Sequence, residues 1–141
     1  SDLAVEVLLS EADLTGFLPN LVVEDSEVDR LRFSRIFSHA KPACSVDFAP
    51  SLSSARTKLM DEDYQMIFLD NSLRDGLGAD FAMELAGSRR MGAIPIVMVS
   101  DWPSPFMYAK ARSANVKEVL TKDQFNSDVL QGLLPYGMTR H

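Results

Sequence analysis

Met66-Ile67-Phe68-Leu69-Asp70 is an apolar run that closes on a carboxylate, and the fold follows from how it is read. Four large apolar residues without polar alternation are too few for a helix and suit a strand buried on both faces. The same shape recurs on either side. Leu21-Val22-Val23 ends at Glu24-Asp25, Ile94-Pro95-Ile96-Val97-Met98-Val99 ends at Ser100, and Val119-Leu120 leads through Thr121 to Lys122. A weaker strand spans Ser45 to Ala49, where Val46 and Phe48 alternate with polar neighbours.

Helical patterns fill the intervals. Val28, Leu31, Ile36 and Phe37 form an apolar stripe after Asp25, with Arg30, Arg32 and Arg35 largely on other faces. Ser51 can cap a helix bearing Leu52, Ala55, Leu59 and Met60. Phe81, Ala82 and Leu85 mark a third helix that ends before Gly92. Ser104-Pro105 is an N-cap and first-turn pair for a fourth, carrying Met107, Tyr108 and Ala111. Phe125, Val129, Leu130 and Leu133 mark a fifth, stopping at Pro135. The alternation predicts an α/β fold, a doubly wound five-stranded parallel sheet with helices on both faces.

A chain of 141 residues suits one domain with a full core. The domain is read at 20–134, with 1–19 as an N-terminal extension that Val5, Leu8, Leu9 and Ala12 could make helical, and 135–141 as a tail. The net charge of −6 argues against a direct nucleic-acid partner. No apolar run approaches the roughly 20 residues of a membrane span, and the N-terminus has no basic stretch before an apolar core. Cys44 is the only cysteine, which excludes an internal disulfide and suits the cytoplasm. His39 and His141 have no partners at metal-ligand spacing.

In such a sheet, ligands bind beyond the carboxyl ends of the strands. Glu24, Asp25, Asp70, Ser100 and Lys122 all fall at that edge. Singly, each has a plain explanation: Asp25 caps a helix, Ser100 is a loop hydroxyl, Lys122 is a solvated tail. Together they are harder to dismiss. Three converging carboxylates resist ionisation unless compensated, and oxygen ligands with waters suit Mg²⁺. A carboxylate nucleophile, a metal, a cation and a hydroxyl are the components of phosphoryl transfer.

These residues resemble the receiver domain of bacterial two-component response regulators. The resemblance rests on Leu21 to Asp25, Met66 to Asp70, Leu73-Arg74-Asp75-Gly76-Leu77-Gly78, Ile94 to Ser100 and Leu120-Thr121-Lys122, within about residues 20 to 134. It implies a flavodoxin-like strand order of 2-1-3-4-5. It also implies that Asp70 accepts a phosphoryl group from a phosphohistidine on a sensor histidine kinase or phosphotransfer protein. Glu24, Asp25, Asp70 and the backbone carbonyl of Ser72 would hold Mg²⁺, with Asp25 a direct ligand and Glu24 acting largely through water. Lys122 would pair with the phosphoryl oxygens, and Ser100 would swing toward them. The domain would be a phosphoacceptor rather than an enzyme on a separate substrate, stand-alone or minimally extended, signalling to a downstream protein through the fourth helix, last strand and fifth helix. A homodimer is left open.

Four positions depart from the family pattern. Val119 stands where receivers carry Tyr or Phe, and reads as a core valine. Asp123 replaces the usual proline after the lysine, so a trans peptide bond is expected there. Arg74 replaces another proline. Asp101 replaces a small residue beside the pocket; facing inward, it would slow labelling by small phosphodonors, and otherwise it caps its loop. Trp102 is read as a partly buried loop anchor in preference to an exposed docking residue. Two rival readings are a pseudo-receiver that only binds proteins and a flavodoxin-like cofactor binder or small hydrolase. The second is disfavoured because Glu24-Asp25-Ser26-Glu27 would repel a phosphate.

Overall fold

A computed structural model describes residues 18–41 and 43–134 of the chain; the expected N-terminal helix and the tail lie outside them. The elements run β1 (Asn20–Val23), α1 (Glu27–Ser38), β2 (Val46–Ala49), α2 (Leu52–Asp61), β3 (Met66–Leu69), α3 (Gly78–Ala86), β4 (Ile96–Ser100), α4 (Pro105–Arg112), β5 (Val116–Thr121) and α5 (Ser127–Leu133). A small antiparallel hairpin, Ser72–Leu73 with Gly76–Leu77, separates β3 from α3 and was not legible in the sequence. The five long strands form one parallel sheet in the order β2-β1-β3-β4-β5. That is the expected architecture and order.

The two faces of the sheet divide the core. Leu21, Val23, Ile67, Leu69, Ile96 and Met98 pack against α2, α3 and Met107 of α4. Val22, Met66, Phe68, Val97 and Val99 pack against α1 and α5. Successive residues of β3 therefore enter opposite clusters, so an unbroken apolar run is what the site demands. On the second face, Phe68 meets Phe37 edge-on at 5.2 Å and Phe125 at 5.5 Å, and Phe125 meets Phe33 at 5.3 Å.

Helix starts follow the sequence closely. Ser51 caps α2 in a capping box, Ser104 caps α4 with Pro105 in its first turn, and Ser26, not Asp25, caps α1. Other expectations need correction. Val28, Leu31, Met60 and Tyr108 are exposed; the buried face of α1 is Phe33, Ile36 and Phe37. Helical spacing fixed the faces only approximately, because α1 is covered on one narrow side. Phe125 precedes α5 but is buried as expected. β5 is not buried on both faces: it is the sheet's edge, and its register slips opposite Ile96 and Val97. Val119 packs half-buried against the first cluster, as a core valine should.

The loop after β3 is tied to α3 by backbone. Asn71 accepts the Gly78 N–H at 2.7 Å through its carbonyl and the Ala79 N–H at 2.9 Å through its side chain. A Cβ on Gly78 would fall 2.0 Å from the Asp70 carbonyl oxygen, a backbone atom that cannot step aside. Gly78→Ala should therefore cost about 1–3 kcal/mol of stability by urea denaturation. A loss within experimental error would show that the Asp70 backbone is not held by this contact.

Candidate functional site

Parallel register brings the five sequence-nominated residues to one edge. Val23 lies level with Ala49 and Leu69, so Glu24 and Asp70 leave the sheet side by side. Ser100 pairs with Thr121, and Lys122 N–H then donates to Ser100 O at 3.1 Å. Glu24, Asp70, Ser100 and Lys122 are buried and Asp25 is half-buried. A cleft of about 350 Å³ opens above them, also lined by Ser72, Asp29, Asp101 and Trp102.

Lys122 is the hub. Its Nζ lies 2.6 Å from Asp29 Oδ2, 2.9 Å from Glu24 Oε1, and 3.7 Å from both Asp70 Oδ2 and Asp101 Oδ2. Burial alone would lower the lysine's pKa, but the hydrogen bonds to Asp29 and Glu24 and the charges of Asp70 and Glu24 reverse that and raise it. The ammonium is thus protonated at neutral pH. Asp29 was missed in the sequence because an acidic residue in a helix's first turn already has an explanation in the helix dipole.

One lysine does not neutralise this cleft. Glu24 is pushed up to about 7 by burial first, opposed by Lys122 and reinforced by the Asp70 charge. Asp70 is raised too, again by burial first, against Lys122 and the Asn71 N–H that donates to Oδ1 at 2.8 Å. Glu24 Oε2 accepts the Ser26 N–H at 3.1 Å. Glu24 Oε1 is buried and is met by Lys122 Nζ at 2.9 Å. Single oxygens of Glu24, Asp25 and Asp70 lie within 4.8 Å of one another. Three clustered carboxylates, hard oxygen donors, fit a hard divalent cation.

Two rim residues resolve open questions. Asp101 faces the cleft, although its side chain is 62% exposed. Trp102 is 88% exposed, so it is not a partly buried anchor; it lines the rim of the cleft. On the far side of the hairpin, the exposed Asp75 accepts the Leu52 and Ser53 N–H groups at 2.9 Å each. These bonds hold its pKa down.

The upward shifts of Glu24 and Asp70 mean that the folded domain retains protons that the unfolded chain has released. The stability these two groups contribute is therefore full below their ordinary carboxylate values and, for Glu24, lost as pH rises toward 7. The lowered pKa values of Asp75 and Glu84 act the other way only in acid. The urea midpoint in EDTA should fall across that interval, and excess Mg²⁺ should blunt the fall. A midpoint that rises from pH 4.5 to 7 would contradict the charge excess.

Known proteins place the chain. A CheY-like response regulator receiver domain protein from Methanospirillum hungatei JF-1 superposes with a TM-score of 0.73 at 17% identity, over 83% of this chain and 90% of that one. The Mn²⁺-bound form of response regulator Rcp1 gives 0.69 at 18% identity, over 82% and 88%. The phosphorylated cyanobacterial phytochrome response regulator RcpA gives 0.70 at 18%, over 87% and 91%. At these identities the likeness shows the fold alone. A comparison with curated proteins finds no match. Residues 21–134 match the family model of the response regulator receiver domain. That match runs from β1 through α5 and takes in every carboxylate of the cleft, and so the chain belongs to the response regulator receiver domain family.

Proposed function

We propose that the domain receives a phosphoryl group on Asp70 in a Mg²⁺-dependent reaction and signals through altered protein contacts. The observation that carries this reading is the convergence of Glu24, Asp25 and Asp70 with Lys122 in one cleft. A carboxylate oxygen of Asp70 attacks phosphorus, and the P–N bond of a phosphohistidine donor breaks. The electron pair goes to the imidazole nitrogen, which takes a proton from solvent, leaving an acyl phosphate. Glu24, Asp25, Asp70 and the Ser72 carbonyl would hold Mg²⁺, which neutralises phosphoryl charge when bound. Lys122 supplies a fixed positive charge, and the Ser100 hydroxyl can donate to a phosphoryl oxygen.

The donor class is a sensor histidine kinase or phosphotransfer protein, and the setting is the cytoplasm. The domain assists its own phosphorylation without turning over a separate substrate. An open groove of about 290 Å³ between α4 and β5, lined by Tyr108, Arg112, Lys117 and Val119 among others, suits the output face. A protein-binding pseudo-receiver is the second reading. It is favoured by Asp101, whose carboxylate sits 3.7 Å from Lys122 where a phosphoryl oxygen would compete for the same charge.

Incubation with phosphoramidate and Mg²⁺, read by intact-mass spectrometry, separates the two. Wild-type protein should gain one phosphoryl group, EDTA or Asp70→Asn should abolish the gain, and Asp101→Ala should label up to about twofold faster, since an exposed charge is worth little. Undiminished labelling of Asp70→Asn would remove Asp70 as the acceptor. No labelling of wild type would favour the pseudo-receiver.

A further inference from the structure

Asp29 stands on the first turn of α1 and reaches across to the segment that follows β5. Its carboxylate takes the shortest of the four contacts to the Lys122 ammonium, 2.6 Å, while Asp70 stands off at 3.7 Å. The two side chains are 25% and 9% exposed, so solvent screens this pair less than a surface pair. One turn along, Arg32 Nη2 donates to the Phe125 carbonyl at 3.2 Å. Helix α1 is thus fastened to the β5–α5 loop at two points three residues apart. The gap beside them holds only about 10 Å³ and is walled by Phe33, Ile36 and Phe125, so there is no room for a ligand between helix and lysine.

We propose that Asp29 is a positioning residue that latches Lys122 to α1 in the unphosphorylated domain. The lysine must leave Asp29 to meet a phosphoryl group on Asp70, and its departure slackens one of the two fastenings of α1. This rests on the reading of Asp70 as acceptor. A phosphoryl group carries about −1.5 to −2 charges in place of the single charge of the Asp70 carboxylate, and so outcompetes the single charge of Asp29 for the lysine. The latch sets the threshold for that transfer. It also gives the site a mechanical connection to α1 in a domain where Val119 offers no ring to move.

The full chain, wild type and as Asp29→Asn, Asp29→Glu and Asp101→Asn, tests this in two ways. Without a phosphoryl mimic, ¹⁵N NMR of the Lys122 ammonium should show slowed proton exchange in wild type and Asp29→Glu, lost in Asp29→Asn. With Mg²⁺ and beryllofluoride, followed by Trp102 fluorescence, the half-saturating concentration should fall about three- to tenfold in Asp29→Asn. It should fall less than about twofold in Asp101→Asn, which removes an equal but exposed charge. Equal shifts in the two asparagine variants, or an ammonium signal unaltered in Asp29→Asn, overturn the latch. No response to beryllofluoride in any of the proteins overturns the acceptor reading instead.

Discussion

One ammonium group, on Lys122, serves four carboxylates within 3.7 Å at the carboxyl edge of the sheet. Asp25 adds a fifth acidic side chain at the same edge. Burial of this set is unfavourable: it is the first cause of the raised pKa values of Glu24 and Asp70, and at Glu24 the Asp70 charge adds to it. On the proposed reading, a divalent cation would relieve the carboxylates and a phosphoryl group would compete for the lysine.

The rest of the domain holds these groups in register against their mutual repulsion. Parallel pairing of β1, β3, β4 and β5 brings their ends to a common level, and the two apolar clusters clamp the sheet from either side. Gly78 lets α3 approach the Asp70 carbonyl more closely than any side chain would allow. Repulsion that would otherwise splay the strand ends is resisted by core packing some residues away. A buried, overcharged site therefore needs the uninterrupted apolar runs from which the strands were recognised.

Those runs made the sheet and the edge residues legible. Each strand ends where hydrophobicity gives way to a charged or hydroxyl residue, and parallel topology turns that one-dimensional pattern into a cluster. Besides the small hairpin after β3, three things were not legible. Asp29 joins the cluster only through the crossing of α1 over the β5–α5 loop, a tertiary relation with no sequence period. The exposure of Trp102 depends on the path of a loop, where hydrophobicity is a poor guide. The expected strand order put β5 at an edge, but its weaker burial and register slip were not visible, because Val119-Leu120 reads like the other runs.

Calorimetric titration of Mg²⁺ into the metal-free domain near pH 7, in buffers of differing ionisation enthalpy, tests the charge account most directly. The account predicts one site per chain, binding accompanied by proton release, and loss of the site in Asp25→Ala, because carboxylates with raised pKa values must give up protons to a cation. Absence of Mg²⁺ binding, or binding that survives Asp25→Ala with no proton release, would contradict it.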